Sequence, residues 1–135
     1  MSRVSSNNRK RKILFVDDEP DMTSLFKISL KRAGFDIDTF NDPLLALKSF
    51  KPNKYDLLLL DIAMPKMDGF ELYEQLRKMD PDVKICFISA AEKYCEDLRV
   101  ENQTLSKDLF IQKTLSIRDL VRKIDERINS GSGSN

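Results

Sequence analysis

Short apolar runs, each followed by a stretch with helical periodicity, constrain the fold of this chain more than any other feature. Residues 13–16 and 57–60 are uniformly apolar and too short for free-standing helices, so each reads as a strand covered on both faces, the habit of a central parallel strand. Residues 35–40 alternate apolar and acidic side chains, as a half-buried edge strand does. Two further runs, 83–88 and 109–112, complete a set of five expected strands.

The segments between them read as helices. Met22, Leu25, Phe26 and Ala33 are expected to share one face of a helix that Gly34 stops. Asp42 followed by Pro43 is an N-cap with proline at the first helical position, opening 44–50. Residues 70–79 form a third helix after a loop holding Pro65, Asp68 and Gly69, and Asp80-Pro81 turns the chain into the next strand. The start of 91–108 is expected to be helical, with Glu101 interrupting the series Tyr94, Leu98 and Leu105. Ser116 and Asp119 give a capping-box-like start to a last helix with Ile117, Leu120, Val121, Ile124 and Ile128 on one stripe. Strands alternating with helices imply right-handed crossovers and an α/β sandwich of helices on both faces of a parallel sheet.

A chain of 135 residues suits one such domain, expected over 13–129. Residues 1–12 are polar and end in the basic run Arg9, Lys10, Arg11 and Lys12, read as a flexible lead-in. Residues 130–135 have the composition of a flexible tail or linker. With 23 basic against 22 acidic side chains, charge gives no reason to expect nucleic acid or an anionic membrane as the main partner. No apolar stretch approaches the roughly 20 residues of a membrane helix, and a cytoplasmic location is expected. Cys86 and Cys95 match no metal-ligand spacing and read as reduced packing residues. The chain contains no histidine, which removes Ser-His and Cys-His catalysis, imidazole metal sites and phosphohistidine carriage. Any chemistry runs on carboxylates, hydroxyls and lysines.

Ligands of open α/β sheets bind at the carboxyl ends of the strands, near the switch point in strand order. Asp17 and Asp18 end the first expected strand, Asp61 the third, Ser89 the fourth, and Lys113 follows the fifth. Singly, each Asp is ordinarily a turn or cap residue, Ser89 a strand-end hydroxyl and Lys113 a surface lysine; Glu19 is assigned such a turn role. As a set they gather three carboxylates at one rim, where mutual repulsion holds a proton on at least one unless a hard cation relieves it. An all-oxygen set without histidine or thiolate suits Mg²⁺, which leaves coordination positions for phosphate oxygens. Phosphoryl transfer is the reaction this favours.

The ordered motifs resemble those of response-regulator receiver domains. They are 13–18 with Glu19 and Pro20, Asp61 with Met64, Pro65, Met67, Asp68 and Gly69, Ser89 with Ala90, and 110–113. The resemblance implies a (βα)5 flavodoxin-like three-layer sandwich with a five-stranded parallel sheet of order 2-1-3-4-5. It also implies a phosphorylation-dependent signalling switch rather than an enzyme: Asp61 takes a phosphoryl group from a histidine kinase or phosphotransfer partner. Mg²⁺ would sit on Asp18, Asp61 and the backbone carbonyl of Ala63, with Asp17 assisting through water. Ser89 and Lys113 would hold the phosphoryl oxygens. Movement of Ser89 would accompany rotation of Phe110, changing the surface of the fourth helix, fifth strand and fifth helix toward a downstream protein, in a monomer or a phosphorylation-linked dimer. Phe110 reads equally well as ordinary core. Two departures stand out: Thr114 follows Lys113 where the family usually has proline, and 102–108 lacks the usual glycine-containing turn. Ala63 and Ala91 are apolar at positions that govern phosphoryl loss in the family, so slow self-dephosphorylation is expected. Two alternatives remain at this point: a receiver-like binding module independent of phosphorylation, and a Mg²⁺-dependent phosphohydrolase.

Overall fold

The computed structural model describes residues 10–90, 109–113 and 116–130. Five parallel strands, β1 (Lys12–Val16), β2 (Asp36–Phe40), β3 (Leu57–Asp61), β4 (Lys84–Ser89) and β5 (Phe110–Gln112), form one sheet in the order β2-β1-β3-β4-β5. This is the flavodoxin-like order expected above. The helices among the described residues are α1 (Pro20–Arg32), α2 (Pro43–Ser49), α3 (Gly69–Met79) and α4 (Ile117–Asn129). The helix expected in 91–108, together with Cys95 and Ala91, lies outside the described residues.

Two apolar cores flank the sheet because side chains alternate along each strand. Leu14, Val16, Leu58 and Leu60 face α2 and α3, meeting Ala46, Leu72 and Leu76. Ile13, Phe15, Leu57 and Leu59 face α1 and α4, meeting Phe26, Leu30, Leu120, Ile124 and Ile128. Every residue of β3 is buried, and each leucine so enclosed contributes roughly 1.5–3 kcal/mol. Phe15 stacks on Phe26 with ring centroids 4.7 Å apart, tying α1 to the middle of the sheet.

Caps fix where the helices begin. The Asp42 carboxylate accepts from the Leu44 N–H, and Ser116 Oγ accepts from the Asp119 N–H. Asp68 and Glu71 form a reciprocal capping box at the start of α3.

Three expectations are corrected. Leu25 and Ala33 are exposed, and the buried face of α1 is Thr23, Phe26 and Leu30. Thr23 tolerates burial because its hydroxyl donates to the Pro20 carbonyl and accepts from the Asn41 amide. In α4, Ile117 is exposed while Leu120, Ile124 and Ile128 carry the core contact. The end of the basic run belongs to the fold: Lys12 opens β1 and pairs with Asp36 and Asp38, and Arg11 donates to Asn129.

Candidate phosphoacceptor site

Backbone pairing carries four side chains to one edge of the sheet, and Asp18 follows directly on the first of them. The Asp17 N–H donates to the Phe40 carbonyl at 3.0 Å, extending the β1·β2 ladder by one rung, and the Asn41 amide donates to the Asp17 carbonyl at 2.8 Å. Asp61 is the last residue of β3, level with Ile88 of β4. Ser89 ends β4, and the Lys113 N–H donates to its carbonyl at 2.8 Å, one residue past β5. Each of these residues therefore sits at the end of a hydrogen-bonded rung, where its backbone is as well determined as the sheet itself.

A close packing of backbone supports Asp61 from below. A Cβ on Gly69 would lie 2.4 Å from the Asp61 carbonyl oxygen, so only glycine lets the first turn of α3 approach this closely. The Gly69 N–H donates to the Ile62 carbonyl at 2.9 Å, and the Ile62 N–H donates to Ile88 at 3.0 Å. Within the loop so closed, Lys66 adopts φ 74°, a left-handed conformation uncommon outside glycine, and its ammonium pairs with Asp42 at the start of α2. Ala63 is exposed two residues past Asp61.

The side chains form a compact charged cluster. Asp17 has 0% exposure, Asp61 3% and Ser89 3%, while Asp18 is half-buried. Lys113 Nζ lies 2.8 Å from Asp17 Oδ2, 3.1 Å from Glu19 Oε1 and 3.5 Å from Asp61 Oδ2. Asp17 Oδ1 accepts from the Glu19 N–H at 2.9 Å, whereas Oδ2 has no hydrogen-bond partner among the described residues beyond its ion pair with the ammonium. One carboxylate oxygen from each of Asp17, Asp18 and Asp61 lies within 4.8 Å of the others.

Burial followed by the neighbouring Asp17 charge pushes the Asp61 carboxyl up to about 7. Asp17 is also raised, because its burial outweighs the Lys113 ion pair. Burial works against the Lys113 ammonium, but the bond to Asp17 and the charges of Asp17 and Asp61 more than offset it and push the group up to about 12. One ammonium thus leaves both buried acids, Asp17 and Asp61, under-compensated. In an octahedral Mg²⁺ shell with metal–oxygen distances of about 2.0–2.1 Å, ligand oxygens lie roughly 3 to 4 Å apart. The carboxylate spacing is compatible with a divalent cation of this kind, and the donor set is all oxygen.

Phe110 is half-buried against Phe87 and Phe70, with ring centroids 5.6 and 6.2 Å away. Burial pushes the thiol of Cys86 up to about 12, which keeps it a packing group. Sequence reasoning brought Asp17, Asp18, Asp61, Ser89 and Lys113 to the same edge. It missed Glu19, assigned a turn role, whose carboxylate touches Lys113, and Asn41, whose amide fastens the Asp17 backbone. The run Asp17-Asp18-Glu19 was the available signal for Glu19.

The sequence profile of the response regulator receiver domain matches residues 13–125. The chain belongs to this family. The alkaline phosphatase synthesis transcriptional regulatory protein PhoP of Bacillus subtilis is 33% identical over 84% of the chain, which spans 47% of that relative's length. The chain spans about half the length of several such curated relatives. The response regulator receiver protein CpdR of Brucella abortus is 30% identical over 87% of the chain and 97% of its own length. Among solved structures, the response regulator TrrA of Thermotoga maritima, in complex with Mg²⁺-BeF, superposes with a TM-score of 0.71. It is 34% identical, covering 86% of this chain and 97% of that one. This receiver domain is a module of two-component signalling rather than a conventional enzyme. None of its described helices is long and apolar enough to cross a membrane.

Proposed function

We propose that this receiver domain, residues 13–129, is a phosphorylation-dependent switch whose phosphoacceptor is Asp61. The observation that carries the reading is a nearly buried carboxylate at the end of the central strand β3, flanked by Asp17 and facing a lysine ammonium at 3.5 Å. A carboxylate oxygen of Asp61 attacks the phosphorus of a phosphohistidine on a histidine kinase or phosphotransfer protein. The P–N bond breaks, an acyl phosphate forms on Asp61, and the departing imidazole takes up a proton.

Asp18 and Asp61 would hold Mg²⁺ directly with the Ala63 carbonyl, and Asp17 through water. When bound, the ion offsets the negative charge of the transferred group and aligns it with the attacking oxygen. The TrrA complex with Mg²⁺-BeF supports this assignment by likeness. Lys113 keeps the cluster from carrying three uncompensated charges and donates to a phosphoryl oxygen after transfer. Ser89, at the end of β4, donates its hydroxyl to another. Charge-assisted hydrogen bonds contribute roughly 1.5–3 kcal/mol each, so two approach the ~5.5 kcal/mol that inverts a 1:99 equilibrium. Phe110, in register with Phe87 on β4 two residues before Ser89, is the side chain through which that change reaches the surface and a downstream protein. The domain works in the cytoplasm.

The test is incubation with acetyl phosphate and Mg²⁺, followed by intact mass measurement. The wild type is expected to gain a single phosphoryl group, and neither Asp61→Asn nor the wild type in EDTA to gain any. Labelling that persists in Asp61→Asn removes the residue from this role; multiple turnover of a phosphate ester would make the site that of a phosphohydrolase.

A further inference from the structure

We propose that Glu19 is a positioning residue that keeps the Lys113 ammonium engaged in the unphosphorylated state and competes with the incoming phosphoryl group for it. The inference rests on the phosphoacceptor reading of Asp61 and deepens it. An ammonium has three N–H donors. Three carboxylates surround the Lys113 ammonium: Asp17 at 2.8 Å, Glu19 at 3.1 Å and Asp61 at 3.5 Å. A phosphoryl oxygen newly attached to Asp61 must therefore take a donor from one of them.

The three contacts are not equally easy to give up. The Asp17 side chain has 0% exposure, and the ammonium is the one ion-pair partner of its Oδ2 among the described residues. Releasing it would strand a buried charge, which is strongly unfavourable. Asp61 is the group being modified, and its 3.5 Å contact is too long for a full charge-assisted bond, so the ammonium has to swing toward the phosphoryl oxygens that Asp61 gains. The Glu19 side chain is 60% exposed, and its carboxylate rehydrates as the ammonium leaves. Exposed ion pairs are weak and readily exchanged with solvent. Glu19 is therefore the releasable partner. Its backbone N–H is bound separately to Asp17 Oδ1 at 2.9 Å, so the side chain can let go while the main chain holds its place.

Two effects follow from the same carboxylate. It holds the ammonium back from the phosphoryl group, and it puts negative charge at the mouth of a site whose substrates are anions. Both slow phosphorylation and favour the resting state.

The experiment is the initial rate of labelling by acetyl phosphate with saturating Mg²⁺, read by intact mass, for wild type, Glu19→Gln, Glu19→Asp and Asp21→Asn. Glu19→Gln removes the charge and keeps the shape, and at low ionic strength it is expected to label about 1.4–5-fold faster, the range spanned by one ion pair with an exposed partner. The gain is expected to shrink in ~1 M salt, where the screening length falls to about 3 Å. Glu19→Asp keeps the charge and is expected to stay near the wild-type rate. Asp21 is exposed in the first turn of α1, and Asp21→Asn is expected to leave the rate unchanged. A Glu19→Gln rate at or below wild type overturns the inference while leaving the function of Asp61 intact. Equal acceleration by Asp21→Asn overturns it too, because the effect would then be one of overall field. A wild type that takes no label brings down both.

Discussion

Asp61 is the residue at which structure and chemistry conflict most. Its carboxyl is pushed up to about 7 by burial and by the Asp17 charge, against 3.8 for an ordinary aspartate. Between those pH values the native state keeps a proton that the unfolded chain has released. The metal-free domain therefore holds the full contribution of this group below about pH 4 and loses it as pH rises through about 7. Asp61→Asn removes the ionisation and is expected to stabilise the metal-free domain at pH 8 by on the order of 2 kcal/mol. Urea unfolding in EDTA at pH 5 and pH 8 checks this: the gain should be larger at pH 8. A variant less stable than wild type at pH 8 would show that the carboxylate is well compensated without metal. The acids, the hydroxyl and the lysine were legible in the sequence because each follows an apolar run. Glu19 was not, since the reach of an exposed side chain toward Lys113 depends on how β5 places that lysine four strands later in the chain.

At the scale of elements, strand ends and helix caps decide where the side chains go. Gly69→Ala puts a methyl group 2.4 Å from the Asp61 carbonyl oxygen. It is expected to cost about 1–3 kcal/mol as overpacking and to slow labelling, because the backbone bearing Asp61 must shift. An unchanged denaturation midpoint would mean that α3 retreats freely. The strands and caps were readable because runs such as 57–60 and pairs such as Asp42-Pro43 carry local physical reasons. The buried face of α1 was not, because the apolar residues Leu25 and Ile28 suggest a wider stripe than the sheet covers. Thr23 takes a core position by bonding to Pro20 and Asn41. Leu30→Ala is expected to cost roughly 2–5 kcal/mol, whereas Leu25→Ala, 49% exposed, should change stability by about 0.5 kcal/mol or less. Equal losses in thermal unfolding would refute the orientation of the helix.

Across the whole molecule, a sheet of order β2-β1-β3-β4-β5 places β1 and β3 side by side, so their terminal acids meet, while β4 and β5 bring a hydroxyl and an ammonium from the other side. No single segment contains the site, and no single motif would have located it. Its chemistry is a property of the topology, which is why the expected sheet order mattered as much as the residues. The most direct test of that chemistry is to find where the phosphoryl group resides. After labelling with acetyl phosphate and Mg²⁺, reduction of the acyl phosphate with borohydride converts the modified aspartate to homoserine, which peptide mass spectrometry locates. The account predicts homoserine at position 61 alone; homoserine at 17 or 18, or phosphate on a hydroxyl such as Ser89, would contradict it.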